Sequence, residues 1–148
     1  MRTIHVAALL RRTLDEAPTA DGAVLVDGDR IAAIGPRDEL VAAYPEVRVR
    51  GWAGTLGPAL VHGGPLPAAP TPRERVHALF RAGATAVLGG QMTDSDLRAA
   101  AVRNGVVILD IVRPPAVVAG GRADLAVFAE DGTCLATVVA GRLVHRRA

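Results

Sequence analysis

The sequence predicts an α+β fold in which β-hairpins at both ends of the chain flank a central βαβαβ segment. Three observations carry this. The run Gly22-Ala23-Val24-Leu25-Val26-Asp27-Gly28-Asp29-Arg30-Ile31-Ala32-Ala33-Ile34 sets an Asp-Gly dipeptide between two apolar stretches, and both turn residues tolerate the positive φ of a tight hairpin. Residues 60–110 alternate short apolar runs with helical patterns, as parallel strands joined by helices do. Residues 123–145 return to short strands, separated by Glu130-Asp131-Gly132 and by Gly141.

Taken in order, residues 3–10 are an apolar, mildly alternating strand, and 11–20 a polar loop. The Asp27-Gly28 hairpin ends at Gly35-Pro36. Residues 37–44 are a short helix that Pro45 stops, since proline cannot continue the helical hydrogen bonding. Residues 47–50 form a strand with Val47 and Val49 on one side and Arg48 and Arg50 on the other. Gly51-Trp52-Ala53-Gly54 interrupts, and Ala59-Leu60-Val61 opens the central segment. Residues 65–72 hold four prolines and read as an extended connector. Thr71 caps the next helix, with Pro72 at its first position and Glu74 three residues on, and Gly83 stops it. Residues 85–88 are a buried strand leading into Gly89-Gly90. The second helix starts at Thr93, with Asp94, Ser95 and Asp96 in its first turn, and ends at Asn104-Gly105. Residues 106–109 are the third parallel strand, and Arg113-Pro114-Pro115 ends the pattern. The predicted divisions are 1–56, 57–115 and 116–148, forming one compact unit. Trp52 is expected to pack the hairpin layer against the central segment.

Composition narrows the function classes. Half of the 148 residues are hydrophobic, ample for a core. No apolar run has the length of a membrane span or the form of a signal peptide, so no membrane association is expected and a cytoplasmic location is. A single cysteine, Cys134, fits a reducing compartment and a small buried hydrophobe. All seventeen basic residues are arginine, dispersed from Arg2 to Arg147, and the formal net charge is only +2. With one tryptophan, one tyrosine and two phenylalanines, base-stacking platforms are scarce, so no nucleic-acid partner is expected.

The order of parts is familiar. Residues 22–35 resemble the N-terminal hairpin of the amidohydrolase superfamily, especially its imidazolonepropionase-like members. Gly121-Arg122-Ala123-Asp124-Leu125-Ala126-Val127-Phe128 resembles that family's G-x-x-A-D-L-V-V segment. Val138-Val139-Ala140-Gly141-Arg142-Leu143-Val144 resembles its closing V-x-x-G-x-x-V hairpin. The resemblance implies a small composite β-sandwich built from both chain ends, with the βαβαβ insert resembling a remnant of a metal-dependent (β/α)8 barrel. Residues 60–110 are far short of the ~250 residues of a closed barrel, so the resemblance implies a truncated form.

It also implies where metal chemistry would sit. The family motif P-G-L-V-D-x-H-x-H aligns with Pro58-Ala59-Leu60-Val61-His62-Gly63-Gly64-Pro65-Leu66. His62 falls at the Asp position, and Gly64 and Leu66 fall where two metal histidines are expected. Neither has a lone pair to donate. The family's bridging carboxylated lysine has no counterpart in a chain without lysine. From the residues themselves, His62 and Asp110 lie at carboxyl ends of predicted parallel strands, the edge where α/β folds bind ligands. They are the candidate catalytic or metal pair, and His62, Gly89, Gly90 and Asp110 are the candidate ligand-binding set. Gly89-Gly90 lacks the G-x-G-x-x-G and G-K-[ST] patterns, and the acids that follow would repel phosphate.

The leading expectation is a degenerate, non-catalytic amidohydrolase-like protein that serves binding or assembly, with no cofactor. Its short parallel sheet leaves apolar edges that favour a homo-oligomer or a protein partner through the insert. The alternative is a small zinc-dependent hydrolase of cyclic-amide C–N bonds, using His62 and Asp110. A third reading is a small-molecule pocket at the carboxyl edge of the insert.

Overall fold

The computed structural model describes all residues from Met1 to Ala148. Its larger sheet has the strand order β11-β10-β9-β5-β1-β3-β4. These strands are β1 (Arg2–Leu10), β3 (Gly22–Asp27), β4 (Arg30–Pro36), β5 (Arg48–Pro58), β9 (Leu125–Phe128), β10 (Cys134–Val139) and β11 (Arg142–Arg146). The two-residue β2 (Thr19–Ala20) pairs with the end of β1. Both chain ends thus build one sheet. The expected pair of packed sheets is instead a single hydrogen-bonded path, because β5 bonds β1 along one edge and β9 along the other.

Residues 51–58 belong to β5, although the glycines at 51, 54 and 57 suggest a break. Gly54 has φ +94°, and a Cβ there would strike the carbonyl of Phe128. Glycine here lets the backbone of β9 approach closely, a use of strand glycine that costs little when the neighbour supplies the pairing. The sheet then curls until the β3–β4 turn meets the β10–β11 turn. Gly141, at φ +80°, presses against the Gly28 carbonyl, and the Ile31 amide donates to the Gly121 carbonyl at 2.8 Å.

Each face of this sheet is covered. Ile4, Val6, Ala23, Leu25 and Val47 pack under Leu40 of α1 (Arg37–Ala43). On the other face the curl brings Val24, Val26 and Ile31 against Leu125, Val127, Ala136 and Val138.

The insert is a three-stranded parallel sheet in the order β6-β7-β8, made of β6 (Leu60–His62), β7 (Ala84–Leu88) and β8 (Val107–Leu109). Helices α2 (Pro72–Arg81) and α3 (Ser95–Arg103) connect them. The Thr71 hydroxyl accepts the Glu74 amide at 3.2 Å and so caps α2. Helix α3 begins later than the sequence suggests. Asp94 is its cap, its carboxylate accepting from both the Asp96 and Leu97 amides, at 2.8 and 3.1 Å. Val76, Leu79, Phe80, Leu97, Ala100 and Ala101 form the insert's core together with Val139 of β10. The Thr137 hydroxyl of β10 donates to the Phe80 carbonyl at 2.7 Å, which fixes the insert to the large sheet.

Substituting Gly141→Ala is expected to lower stability by ~2 kcal/mol or more, since the new Cβ meets backbone and φ is left-handed. Gly63→Ala, in open space, should change little. Urea unfolding of both variants checks this, and equal midpoints would contradict the turn-to-turn contact.

Candidate functional site

The parallel pairing of β6, β7 and β8 brings their carboxyl ends to one edge. His62 ends β6, Gly89 and Gly90 open a single 3-10 turn (Gly89–Gln91) after β7, and Asp110 follows β8. His62 is in register with Val87, and Leu109 with Leu88, so β7 separates His62 from Asp110. Two interstrand spacings set their strands roughly 10 Å apart. His62 Nε2–H donates to the Pro65 carbonyl at 2.8 Å, and Asp110 is exposed. A Cβ at Gly89 would make ordinary contact with Ile108, whereas Gly90 faces open space.

Gly64 also faces open space, while Leu66 is 3% exposed and packs in the insert core. The remaining histidines are dispersed: His5 on β1, His77 on α2 and His145 on β11. Nowhere do three His, Cys, Asp or Glu side chains converge in a metal-binding group.

A second polar centre lies in the large sheet, and local sequence signals do not announce it. Trp52 Nε1–H donates to His5 Nδ1 at 3.2 Å, with the rings nearly parallel, 13° apart in plane. Trp52 therefore packs within the sheet and not against the insert, a correction that follows from its place beside Ala7 and His5 on the β1–β5 ladder. His5 is 4% exposed, and burial, then the charge of Arg50, lowers its pKa from 6.5 to about 4. Arg50 is itself lowered, first by partial desolvation and then by Arg48 and Arg146.

Asp124, inside the Gly121–Phe128 segment, has a structural role. It accepts the Arg122 Nε–H at 3.0 Å and the Ala140 amide at 2.8 Å, while the same guanidinium reaches the Gly105 carbonyl. One carboxylate thus ties the start of β9 to the last turn of the sheet. Cys134 is buried and packs as a core side chain, and desolvation raises its thiol pKa.

Residues 22–46 match the family model described as the imidazolonepropionase-like composite domain of bacteria. These residues are β3, β4, α1 and the turn after it. The chain is similar to the imidazolonepropionase-like amidohydrolases. Among solved structures, guanine deaminase from Bradyrhizobium japonicum superposes with a TM-score of 0.54 at 17% identity, covering 72% of this chain and 34% of that one. E. coli guanine deaminase gives 0.55 at 17% identity, over 73% of this chain and 35% of that one. A triazine hydrolase variant gives 0.51 at 16%, over 72% and 34%. The chain spans about a third of the length of these structures, and what it shares with them is the fold. No curated protein matches it by sequence.

The amidohydrolase resemblance implies a metal at the end of the first parallel strand, and the residues here do not fit one. His62 spends Nε2 on a carbonyl, Gly64 carries no donor, and Leu66 is turned into an apolar core. A catalytic zinc needs three protein ligands held by further hydrogen bonds. No helix is long and apolar enough to cross a membrane.

His5 gives the site a pH signature. Its folded pKa lies below its ordinary value, so between pH 6.5 and about 4 the unfolded chain takes up a proton that the folded chain refuses. Stability from this group is full above 6.5 and is lost on acidification towards 4, by about 3 kcal/mol in total. His5→Gln keeps an acceptor for Trp52 and should flatten that part of the urea midpoint's pH profile. An unchanged profile would show that His5 is not held neutral.

Proposed function

We propose that this chain is a non-catalytic amidohydrolase-like module whose insert serves assembly, forming a homo-oligomer through the open side of its parallel sheet. The observation that carries this reading is the burial of Leu66. The position where the resemblance expects a metal histidine has become part of the hydrophobic core that joins α2, α3 and β7. A strand end rebuilt for packing is suited to holding the insert together, and reverting it would place an imidazole among apolar side chains at a desolvation cost of ~1–3 kcal/mol.

The open side supports the assembly half of the reading. β8 pairs only with β7, so its outer edge carries unpaired backbone groups. Directly after it, Ile111 and Val112 are 71% and 69% exposed. Two large aliphatic side chains beside an unpaired strand edge are the arrangement that a second copy would cover.

A second reading draws on the single edge shared by His62, Gly89, Gly90 and Asp110, which suits a small molecule lying across the strand ends. The hydrolase alternative would need zinc there and would act on cyclic-amide C–N bonds.

Light scattering on the eluting protein is expected to give a mass above that of one chain, and Ile111→Asp with Val112→Asp should reduce it to one chain without loss of folding. A monomeric wild type that hydrolyses a cyclic amide, with activity lost in His62→Ala, would favour the hydrolase instead.

A further inference from the structure

The large sheet contains a cleft that neither the insert nor the strand-end residues explain. Parallel pairing of β1 with β5 puts Thr3 opposite Arg48 and His5 opposite Arg50. Residues paired in this way project to the same face, so all four side chains share the inner face of the curled sheet. Arg142 and Leu143 of the β10–β11 hairpin stand across from them. The cavity between has a volume of about 390 Å³, within the range of small-ligand sites.

Its charge is one-sided. Arg48, Arg50 and Arg142 line it, and no aspartate or glutamate does. The ion pairs of the molecule use Arg2, Arg30 and Arg122, which leaves these three arginines without an acidic partner. Arg146 adds a fourth positive charge beside them. Its guanidinium lies 5.6 Å from the Trp52 ring centroid, and that of Arg50 lies 5.9 Å from the same ring. Like charges gathered on one face repel one another, and a bound anion would relieve this. In a chain with seventeen basic and fifteen acidic residues, such a segregated group is a feature of the fold and not of net charge.

His5 supplies a directed donor. Indole nitrogen can only donate, so Trp52 makes His5 Nδ1 the acceptor and leaves the proton on Nε2. The His5 side chain is more than nine-tenths buried, yet it lines the cavity, and no protein atom accepts from Nε2. No buried side-chain nitrogen or oxygen in the molecule is sealed off without a partner, so Nε2–H opens into the cleft. We propose that this cleft binds a small, multiply charged oxyanion, a phosphate or carboxylate group, between the Arg48 and Arg50 guanidinium groups and the Nε2–H of His5, with Arg142, whose Nη2–H donates to the Asn104 carbonyl at 3.4 Å, at the rim. Guanidinium forks match the paired oxygens of both groups, and bonds to an ionised acceptor are the stronger kind. The Thr3 hydroxyl stands on the same face as a further donor or acceptor.

Trp52 is the sole tryptophan and reports on this cleft through its hydrogen bond to His5. Its emission is followed while pyrophosphate or citrate is added to the full chain, with ionic strength held constant by sodium chloride. A saturable change is expected with at least one of the two; the tighter one assigns the group as phosphate or carboxylate. Arg48→Gln with Arg50→Gln should weaken the affinity ~10-fold or more, as loss of charge-assisted hydrogen bonds does. Arg142→Gln, on the opposing hairpin, gives the same test should the double variant fail to fold. A response that sodium chloride alone reproduces overturns the proposal. So does a saturable response that the folded arginine variants leave unchanged.

Discussion

Strand β5 holds the two ends of the chain in one sheet. Seven of its first nine residues pair in parallel with β1, and its last four pair antiparallel with β9. Without β5 the strands β1, β3 and β4 and the strands β9, β10 and β11 would be separate small sheets, each without the other to cover its apolar face. The strand's glycines suit this double role. Gly54 admits the Phe128 carbonyl where a side chain could not fit, and Gly57 lies close to Arg11. The same pairing fixes which side chains share a face. A slip of one residue between β1 and β5 would turn Ile4 and Val6 away from α1 and set Thr3 and His5 against it in their place.

The insert hangs from this sheet by few but well-placed contacts. Ala59 donates its amide to the Asp124 carbonyl, Thr137 reaches Phe80, and Val139 enters the core of the two helices. These contacts hold the amino-terminal side of the parallel sheet, so its carboxyl edge faces away from the large sheet's core. That edge is where an α/β ligand site would form. Here it carries one histidine bonded to its own loop and one exposed aspartate, and its third motif position packs inward as Leu66. The polar chemistry of the molecule is concentrated instead around His5, Trp52 and the arginines of β5.

The sequence made the locally determined parts readable. Asp27-Gly28, the Thr71–Glu74 cap and Gly105 after α3 each report a backbone geometry through a few adjacent residues. Parallel strands 60–62, 84–88 and 107–109 were visible because apolar runs and helical patterns alternate cleanly. The full length of β5 is not legible locally, because three glycines lower strand propensity and the pairing of its second half lies in a partner about seventy residues away. The neighbour of Trp52 is hidden for the same reason: its contact with His5 exists only through a β1–β5 register that no local pattern encodes. That His62, Gly89, Gly90 and Asp110 end or follow strands is legible from the apolar runs before them. That His62 bonds Pro65 and that Leu66 is buried required the loop's path.

Native mass spectrometry of the purified chain, with zinc supplied during preparation, addresses the central claim most directly because it reads subunit number and bound metal together. A module of the kind proposed gives an assembly of more than one copy with no stoichiometric zinc. A single chain carrying one tightly held zinc would contradict it, and would return the strand end at His62 to the role of a metal site.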